Sequence, residues 1–474
     1  MNQVSLVVAI ALMLVAVTGR KGRLIALSLG WLTIYPAIRT LGIRSAVFVP
    51  EMVIAAALIP WLLRTKDRDL SGAPGWYSSQ LIFIVIWVFM VTFFGHITLA
   101  TGDLYIRVPM AVLRVAAPLL SFAIPASMTL SRKDMAFVLR FLRYAVFAFL
   151  VLGLLDYLNL TPVTLYFQVR DLSAADVKQL NQEGFLNRAG LGALGLVGIF
   201  VCLLSNRLRE GIRPLNLAAV VGFVALILLS QSRSSLLGLI VFGLALIAMQ
   251  RGNRVANLLT VAVGSITVYL VALNIPFVAE RLGTMETLDS ALATSGRVDG
   301  WKRAIAYLLG DPLALMFGVG YDCWALRLAN ICGLSNGHST YLHAIGELGL
   351  IGGGAYLAIF ARIAVQCLTT RSLAGDGRIV SGLTLAFLCS LACSAVAVIQ
   401  IYPVLSSLIV AHLILFIFGT MLGRIRYIIA EQHQMAGSRA VPDRRSAAGG
   451  NPVVPAQGTR VHGVGGVPGV HGNW

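Results

Sequence analysis

Long apolar runs recur along almost the whole chain, and short polar turns separate them. Each run holds about 15–22 residues, close to the roughly 20 that an α-helix needs to cross a hydrocarbon core of about 30 Å. Because backbone groups in lipid must bond within their own segment, runs of this length predict membrane-spanning helices. The pattern therefore predicts an all-α, polytopic transmembrane helical bundle of about 12–13 spans.

The polar stretches divide the chain into a bundle, two long loops and a tail. We predict a transmembrane bundle over residues 1–433, with long outer loops at 156–188 and 274–338. Residues 434–474 are rich in Gly, Val, Pro and Arg and lack apolar periodicity, which predicts a disordered cytoplasmic tail. The predicted spans are Val4–Val17, Leu24–Ile38, Ala46–Leu63, Gln80–Phe94, Val108–Leu130, Met135–Leu155, Ala189–Ser205, Leu215–Leu229, Ser235–Met249, Val255–Leu273, Ser339–Phe360, Val380–Ile399 and Val404–Leu422.

Composition excludes a soluble protein, and the placement of charge predicts the orientation. Of the 474 residues, 58% are hydrophobic and 12% are charged, whereas soluble domains carry roughly 25% charged residues. The net charge of +17 lies in clusters such as Arg20-Lys21 and Arg132-Lys133, which occupy every second loop. This positive-inside pattern explains the charge by topology and anionic lipid, without nucleic acid. It predicts an N-terminal signal anchor, an outer N-terminus and a cytoplasmic C-terminus.

One tight outer turn carries a cation against the topological rule. The turn, Ser230–Ser235, reads SQSRSS and has Arg233 near its centre. One interpretation is an interfacial arginine that reaches the lipid headgroups. The other is a guanidinium fixed beside hydroxyls and exposed amides, which suits a phosphate. The turn alone does not choose between them.

The second long loop contains a predicted short helix. Ser295 caps this helix, and Arg297 lies in its first turn, where free N–H groups and the helix dipole favour an anion. Asp311-Pro312 ends it. Lys302 and Arg303 have the ordinary solvated or lipid-facing roles of surface cations. The packing face is predicted from an apolar stripe of Val298, Trp301, Ile305 and Leu308, in which Trp301 packs rather than binding sugar.

Three ionisable residues cluster where the loop enters the next span. His338 stands at the mouth of that span, and an imidazole is well suited to accept a proton from a hydroxyl near neutral pH. The simpler interpretation is a structural histidine that caps the helix. His343 and Glu347 follow one turn apart, either as a hydrogen-bonded packing pair or as a second shell that orients His338 or an arginine. Gly349 and Gly353 have the spacing of close helix packing.

The cysteines predict neither a disulfide framework nor a metal site. No Cys/His spacing resembles a zinc motif, so no metal is predicted. Cys323 and Cys332 share the outer loop, where a bridge requires both an oxidising compartment and suitable geometry. The remaining cysteines are expected to be small packing residues of the spans: Cys202, Cys367, Cys389 and Cys393.

These segments together resemble the O-antigen ligase and polysaccharide polymerase superfamily. The resemblance covers about Phe185 to Gly354. The chain departs from the family at Ser339, because the family commonly has Asn after the histidine. The resemblance rests on Arg233 in its Ser-Arg-Ser turn, Arg297 with Trp301, Pro312, Gly318-Val319-Gly320, His338 and the run Glu347-Leu348-Gly349-Leu350-Ile351-Gly352.

The resemblance implies a GT-C-like membrane glycosyltransferase of the bacterial inner membrane, with its active site facing the periplasm. It implies transfer of a glycan from undecaprenyl diphosphate to an acceptor hydroxyl, with no cofactor and no metal. Arg233 and Arg297 would bind the diphosphate, with Arg188 as a weaker third ligand. His338 would be the catalytic base. The implied partners are the lipid-linked donor, a glycan or lipid A core acceptor, and the phospholipid bilayer.

Several functions stay open on the sequence. The acceptor is a growing glycan, lipid A core or a protein, and the departure at Ser339 slightly favours a polymerase over a ligase. A transporter or flippase of lipid-linked glycans is the alternative of another class. Such a protein is expected to show related halves or several buried charges. The chain has no evident repeat, and its functional charge gathers on one outer face, which favours the enzyme.

Overall fold

The computed structural model describes twelve stretches of the chain. They are residues 2–29, 53–54, 56–58, 76–99, 104–157, 188–230, 232–249, 297–321, 323–332, 339–371, 375–396 and 408–439. The predicted span Val255–Leu273 lies outside these stretches. So do most of the predicted span Ala46–Leu63 and residues 158–187 of the predicted loop 156–188. His338 and residues 440–474 also lie outside them.

The described residues form helices joined by turns, and no strand occurs among them, so the predicted all-α class is confirmed. The helices in chain order are α1 Asn2–Val17, α2 Arg20–Leu29, α3 Trp76–Thr98, α4 Leu104–Ala126, α5 Arg132–Tyr157, α6 Arg188–Arg207, α7 Arg213–Leu229, α8 Arg233–Met249, α9 Arg297–Gly310, α10 Pro312–Phe317, α11 Cys323–Cys332, α12 Thr340–Thr370, α13 Asp376–Ser394 and α14 Leu408–Arg439.

Five of these helices, α3, α4, α12, α13 and α14, are long and apolar enough to cross a membrane. The apolar stretches of α6, α7 and α8 are shorter: Leu191–Arg207, Arg213–Leu229 and Ser234–Met249. The chain is therefore a multi-pass membrane protein, as predicted. α12 extends to Thr370, beyond the predicted end at Phe360, because the apolar pattern of its last turns continues as far as Arg371.

One end of the bundle collects arginines, and we call it the basic end. Arg20 forms an ion pair with Asp134 at 3.3 Å, which joins the start of α2 to the start of α5. Arg424 of α14 pairs with Asp376 at the start of α13 at 3.2 Å. It also donates to the carbonyl of Leu130 at 3.3 Å. Cations are favourable at helix C-termini because the last carbonyls there lack partners, so these arginines also tie neighbouring helix ends together.

The opposite end carries α9–α11, and we call it the loop end. The backbone N–H of Thr340, at the start of α12, donates to the carbonyl of Ala395, just past the end of α13, at 3.0 Å. A Cβ on Gly238 of α8 would lie 3.2 Å from Ser390 Oγ, near that same end of α13. The start of α8, the end of α13 and the start of α12 therefore lie together at the loop end.

The chain divides into two compact units, Met1–Ile428 and Ile429–Trp474. The first unit contains the bundle and the candidate site. Within the second unit the structure describes residues 429–439, the helical end of α14, which passes the point near Gln434 where the tail was predicted to begin.

Candidate functional site

The spanning helix α12, which starts at the loop end, is broken at Gly349. Gly349 has φ 70° and ψ −180°, a backbone conformation that is essentially restricted to glycine. A Cβ there would overlap the carbonyl oxygen of Met316, and a Cβ on Gly318 would lie 2.5 Å from the Gly349 nitrogen. The two glycines therefore allow the end of α10 to press directly against the break. The GxxxG spacing, predicted to serve helix packing, instead includes the residue that interrupts the helix.

The break leaves three consecutive carbonyls without their usual helical partners, and other segments supply donors. The N–H of Val319 donates to the carbonyl of Gly346 at 2.9 Å, and the N–H of Gly320 donates to that of Glu347 at 3.0 Å. Trp87 Nε1 of α3 donates to the carbonyl of Leu348 at 2.8 Å. Because an unpaired buried carbonyl is costly, these bonds explain why the break is stable inside a membrane-spanning helix.

The loop that fills the break is itself held by α3. The N–H of Tyr321 donates to Thr92 Oγ1 at 3.2 Å, and both residues are fully buried. A Cβ on Gly95 would overlap the carbonyl oxygen of Val319, so the loop backbone lies directly on the helix. Residues 318–321 are therefore fixed between α3 and α12, and we call them the splice loop.

Helices α9–α11 pack into one apolar cluster that rests on residues 340–348 of α12, the half before the break at the loop end, which we call its outer half. Ala304, Leu308, Trp324 and Leu328 are almost completely buried in it. A Cβ on Gly346 would overlap the Trp324 ring, so the indole packs directly against α12 at Gly346, which lies between His343 and Glu347 in sequence. The cluster thus joins the helix that begins at Arg297 to the half of α12 that follows His338.

The packing face of α9 differs from the predicted apolar stripe. Ala304 and Leu308 are buried, but Ile305 is 45% exposed. The predicted stripe was therefore correct at Leu308 and wrong at Ile305, because the small residue Ala304 packs into the cluster in its place. Lys302 has the predicted solvated role, since its side chain is 75% exposed and lies 3.8 Å from Asp299.

His343 and Glu347 form the predicted pair. Both are buried, at 2% and 1% exposure, and Nδ1 of His343 lies 3.9 Å from Oε1 of Glu347. They occupy the outer half of α12, before the break. Ser339 begins this half as its N-cap and accepts a hydrogen bond from the N–H of Leu342. His338, the residue before Ser339, lies outside the described residues.

All three arginines predicted to bind the diphosphate begin helices: Arg188 begins α6, Arg233 begins α8 and Arg297 begins α9. The first N–H groups of a helix lack intrahelical acceptors and favour an anion. The starts of α6 and α8 are neighbours, because a Cβ on Gly192 would lie 2.6 Å from the Ser235 Cβ. The structure therefore brings the backbones of Arg188 and Arg233 to the loop end together, whereas the described contacts of α9 are with α10, α11 and α12.

The serines around Arg233 shape the turn. Ser232, Ser234 and Ser235 are buried, and Ser232 Oγ lies 3.1 Å and 2.9 Å from the hydroxyls of the other two. Ser232 Oγ also accepts from the N–H of Ser235 at 3.4 Å, which makes it the N-cap of α8. These hydroxyls are engaged with one another and fix the start of α8.

Much of the loop end lies within a region of the chain that matches a known protein family. Residues 217–357 match the O-antigen ligase family. The match begins within α7 and ends in α12 just past the break, and it confirms the resemblance predicted from the sequence. It supports a membrane glycosyltransferase activity of the O-antigen ligase or polymerase type. No curated protein matches the chain.

The O-antigen ligase region contains α8, α9–α11, the splice loop and the broken part of α12. Sequence reasoning missed Trp87 and Thr92, which lie before this region and complete its hydrogen bonds. Trp87 stands in a uniformly apolar helix, so its pattern gives no sign of a polar role. The possible disulfide between Cys323 and Cys332 is ruled out by distance, because the two residues begin and end the same helix, about 13 Å apart along its axis.

Among the described residues, no group of three His, Cys, Asp or Glu side chains is placed to hold a metal ion. Arginines begin α6, α8 and α9 at the loop end, whereas Asp299 lies in the first turn of α9 and Asp311 caps α10. The neighbouring starts of α6 and α8, which carry arginines and no acidic residue in their first turns, are therefore suited to an anionic ligand.

Proposed function

We propose that the protein is an integral membrane glycosyltransferase of surface polysaccharide assembly. It transfers a glycan from undecaprenyl diphosphate to a sugar hydroxyl at the periplasmic face of the bacterial inner membrane. The observation that carries the proposal is the O-antigen ligase match, which spans Arg233, Arg297 and His338. The basic end supports the orientation, because arginine-rich ends of membrane proteins face the cytoplasm.

The proposed mechanism is a single in-line displacement at the anomeric carbon. The acceptor oxygen forms the new bond to this carbon while the bond to the diphosphate oxygen breaks, so the configuration inverts. The diphosphate leaves with the bonding electrons, and Arg233, Arg297 and Arg188 neutralise its charge. His338 takes the proton of the acceptor hydroxyl. The step involves neither oxidation nor reduction, so it needs no redox cofactor.

His343 and Glu347 support His338 in this proposal. Their buried pair lies in the same half-helix that His338 precedes, one turn beyond the Ser339 cap. The break and the splice loop fix that half-helix to α3 and to α9–α11. We therefore assign the pair a positioning role, in which it holds the start of α12 rather than contacting the sugar.

Ser339 has a structural explanation that bears on the acceptor. It caps α12, and Asn, which the family commonly has here, caps helices about equally well. The departure therefore preserves the start of the helix and gives no preference for a polymerase. Growing glycan, lipid A core and protein acceptors should be compared on equal terms.

The test uses the purified protein in lipid with an undecaprenyl-diphosphate-linked oligosaccharide and each acceptor. His338→Ala should lower transfer by about 10²–10⁴-fold, the usual contribution of a general base. Arg233→Ala and Arg297→Ala should each lower it by about 10²–10³-fold, as for loss of one preorganised anion contact. Arg303→Ala, an exposed arginine in the same helix as Arg297, is the matched control and should keep full activity.

Two results would reject the proposal. If His338→Ala transferred glycan at the wild-type rate, His338 could not be the catalytic base. Movement of the intact lipid-linked glycan across proteoliposomes, without any glycosidic product, would make the protein a flippase.

A further inference from the structure

An apolar groove runs along one face of α3 and is bounded on its other side by α10. Its volume is about 560 Å³. Phe83, Ile86 and Phe94 of α3 are 40%, 58% and 55% exposed within or beside it, and Phe317 of α10 is 46% exposed. Since α3 is long and apolar enough to span the membrane, and only 28% of its span is buried by the described residues, this surface is suited to lipid. We call it the α3–α10 groove.

The apolar part of the groove has the length of one lipid chain. The α3 residues that line it run from Phe83 to Phe94, and Gly95 and Thr98 follow at the mouth. Eleven residues at 1.5 Å per residue make this face about 16 Å long. One leaflet is half of the roughly 30 Å hydrocarbon core, or about 15 Å. The groove therefore fits an acyl chain from the leaflet at the loop end.

The mouth of the groove carries one positive and one negative side chain. Nη1 of Arg327 donates to the hydroxyl of Tyr307 at 3.1 Å. Asp311 lies one helical turn after Tyr307, and its Oδ1 accepts from the N–H groups of Leu313 and Ala314 at 3.1 and 3.0 Å. Among the residues that the structure describes, Arg327 and Asp311 form no ion pair with each other or with a third side chain. Two opposite charges thus line the same groove without forming an ion pair with each other.

We propose that the α3–α10 groove binds a phospholipid whose headgroup carries both a phosphate and an amine. Arg327 binds the phosphate, Asp311 binds the ammonium group, and one acyl chain lies against α3. A guanidinium is the preferred protein partner of a phosphate. A headgroup that is purely anionic would gain the contact with Arg327 but lie beside the Asp311 carboxylate without a compensating charge. This inference is independent of the proposed glycosyl transfer.

The bound chain would also contact the residue that holds the break in α12. Trp87 lines the groove, stacks on Phe317 with ring centroids 5.9 Å apart, and donates to the carbonyl of Leu348. A chain packed against the indole excludes water from this hydrogen bond. The lipid therefore stabilises the contact between α3, α10 and α12, and thermal stability should depend on the lipid supplied.

The experiment measures lipid binding to the delipidated full-length protein by native mass spectrometry and by the shift in melting temperature. The lipids are phosphatidylethanolamine, phosphatidylglycerol and a polyprenyl phosphate. Asp311→Asn removes the charge but keeps a residue that caps α10 equally well. Arg327→Gln removes the guanidinium. Arg303→Gln is the control, because Arg303 is an exposed arginine of α9 that does not line the groove.

The wild type and Arg303→Gln should prefer phosphatidylethanolamine to phosphatidylglycerol by about tenfold, the size of one charge-assisted contact. Arg327→Gln should weaken binding of both phospholipids by at least about tenfold. Asp311→Asn should abolish or reverse the preference, an outcome that a general loss of stability does not produce. Equal binding of the two phospholipids by the wild type would overturn the proposal. So would an unchanged preference in Asp311→Asn, or tighter binding of the polyprenyl phosphate than of either phospholipid.

Discussion

Gly349→Ala tests whether the break in α12 holds the candidate site together. The new methyl group would overlap the Met316 carbonyl oxygen and lie 2.5 Å from the carbonyl carbon of Phe317. Forcing a non-glycine residue into this backbone region costs about 1–3 kcal/mol, and overpacking the contact costs about 1–3 kcal/mol more. The expected loss is about 2–6 kcal/mol, a large share of the roughly 5–15 kcal/mol that stabilises a typical protein.

Thermal unfolding of the purified protein in detergent measures this loss, and glycan transfer measures its effect on the site. Gly354→Ala is the matched control, because it lies in the same helix and a Cβ there meets nothing within 4 Å. The control should be neutral or slightly stabilising, since Ala favours a helix over Gly by about 1 kcal/mol. If Gly349→Ala had the same melting temperature as Gly354→Ala and retained glycan transfer, the break would have no role in stability or in the site.

Three further predictions follow from the hydrogen bonds of the loop end and from the charge of the basic end. Trp87→Phe leaves the buried Leu348 carbonyl without its donor and should cost about 1–3 kcal/mol in thermal stability. A melting temperature equal to that of the wild type would show that this hydrogen bond does not stabilise the break. Ser339→Asn should keep stability and transfer, while Ser339→Ala should lose about 1 kcal/mol of stability with the cap; equal unfolding midpoints would show that the cap does not contribute. Alkaline phosphatase should be active when fused after Gly310 and inactive when fused after Arg371, and the reverse pattern would invert the proposed orientation.

The helices were largely predictable because their ends coincide with charges that flank apolar runs. Predicted Leu215–Leu229 and Ser235–Met249 correspond to α7 Arg213–Leu229 and α8 Arg233–Met249. The chemistry of the break was not predictable in the same way. Hydrophobic periodicity reports which residues avoid water, but it carries no information on the φ angle of one glycine. The segment with Gly318 and the segment with Gly349 were both identified, yet the contact between them depends on tertiary packing.

The site residues that were predicted and those that were missed differ for the same physical reason. Arg233 and Arg297 were noticed because cations outside the basic loops oppose the charge rule, and both prove to begin helices. Trp87 and Thr92 were missed because their polar atoms belong to residues that are common in apolar spans. Their partners, the carbonyl of Leu348 and the N–H of Tyr321, lie more than two hundred residues away in sequence, where no local pattern reports them.

The position of the break explains why α3 belongs to the site although it precedes the O-antigen ligase region. Irregular backbone within a membrane span is tolerated where protein buries it and satisfies its polar groups. The carbonyls of Gly346 and Glu347 receive donors from the splice loop, but the carbonyl of Leu348 receives its donor from Trp87. The outer half of α12, with His343 and Glu347, is therefore fixed from two sides. Under the proposed function, a substitution in α3 that does not contact the glycan should then change the rate of transfer by moving this half-helix. It should do so without weakening the proposed ionic contacts to the diphosphate.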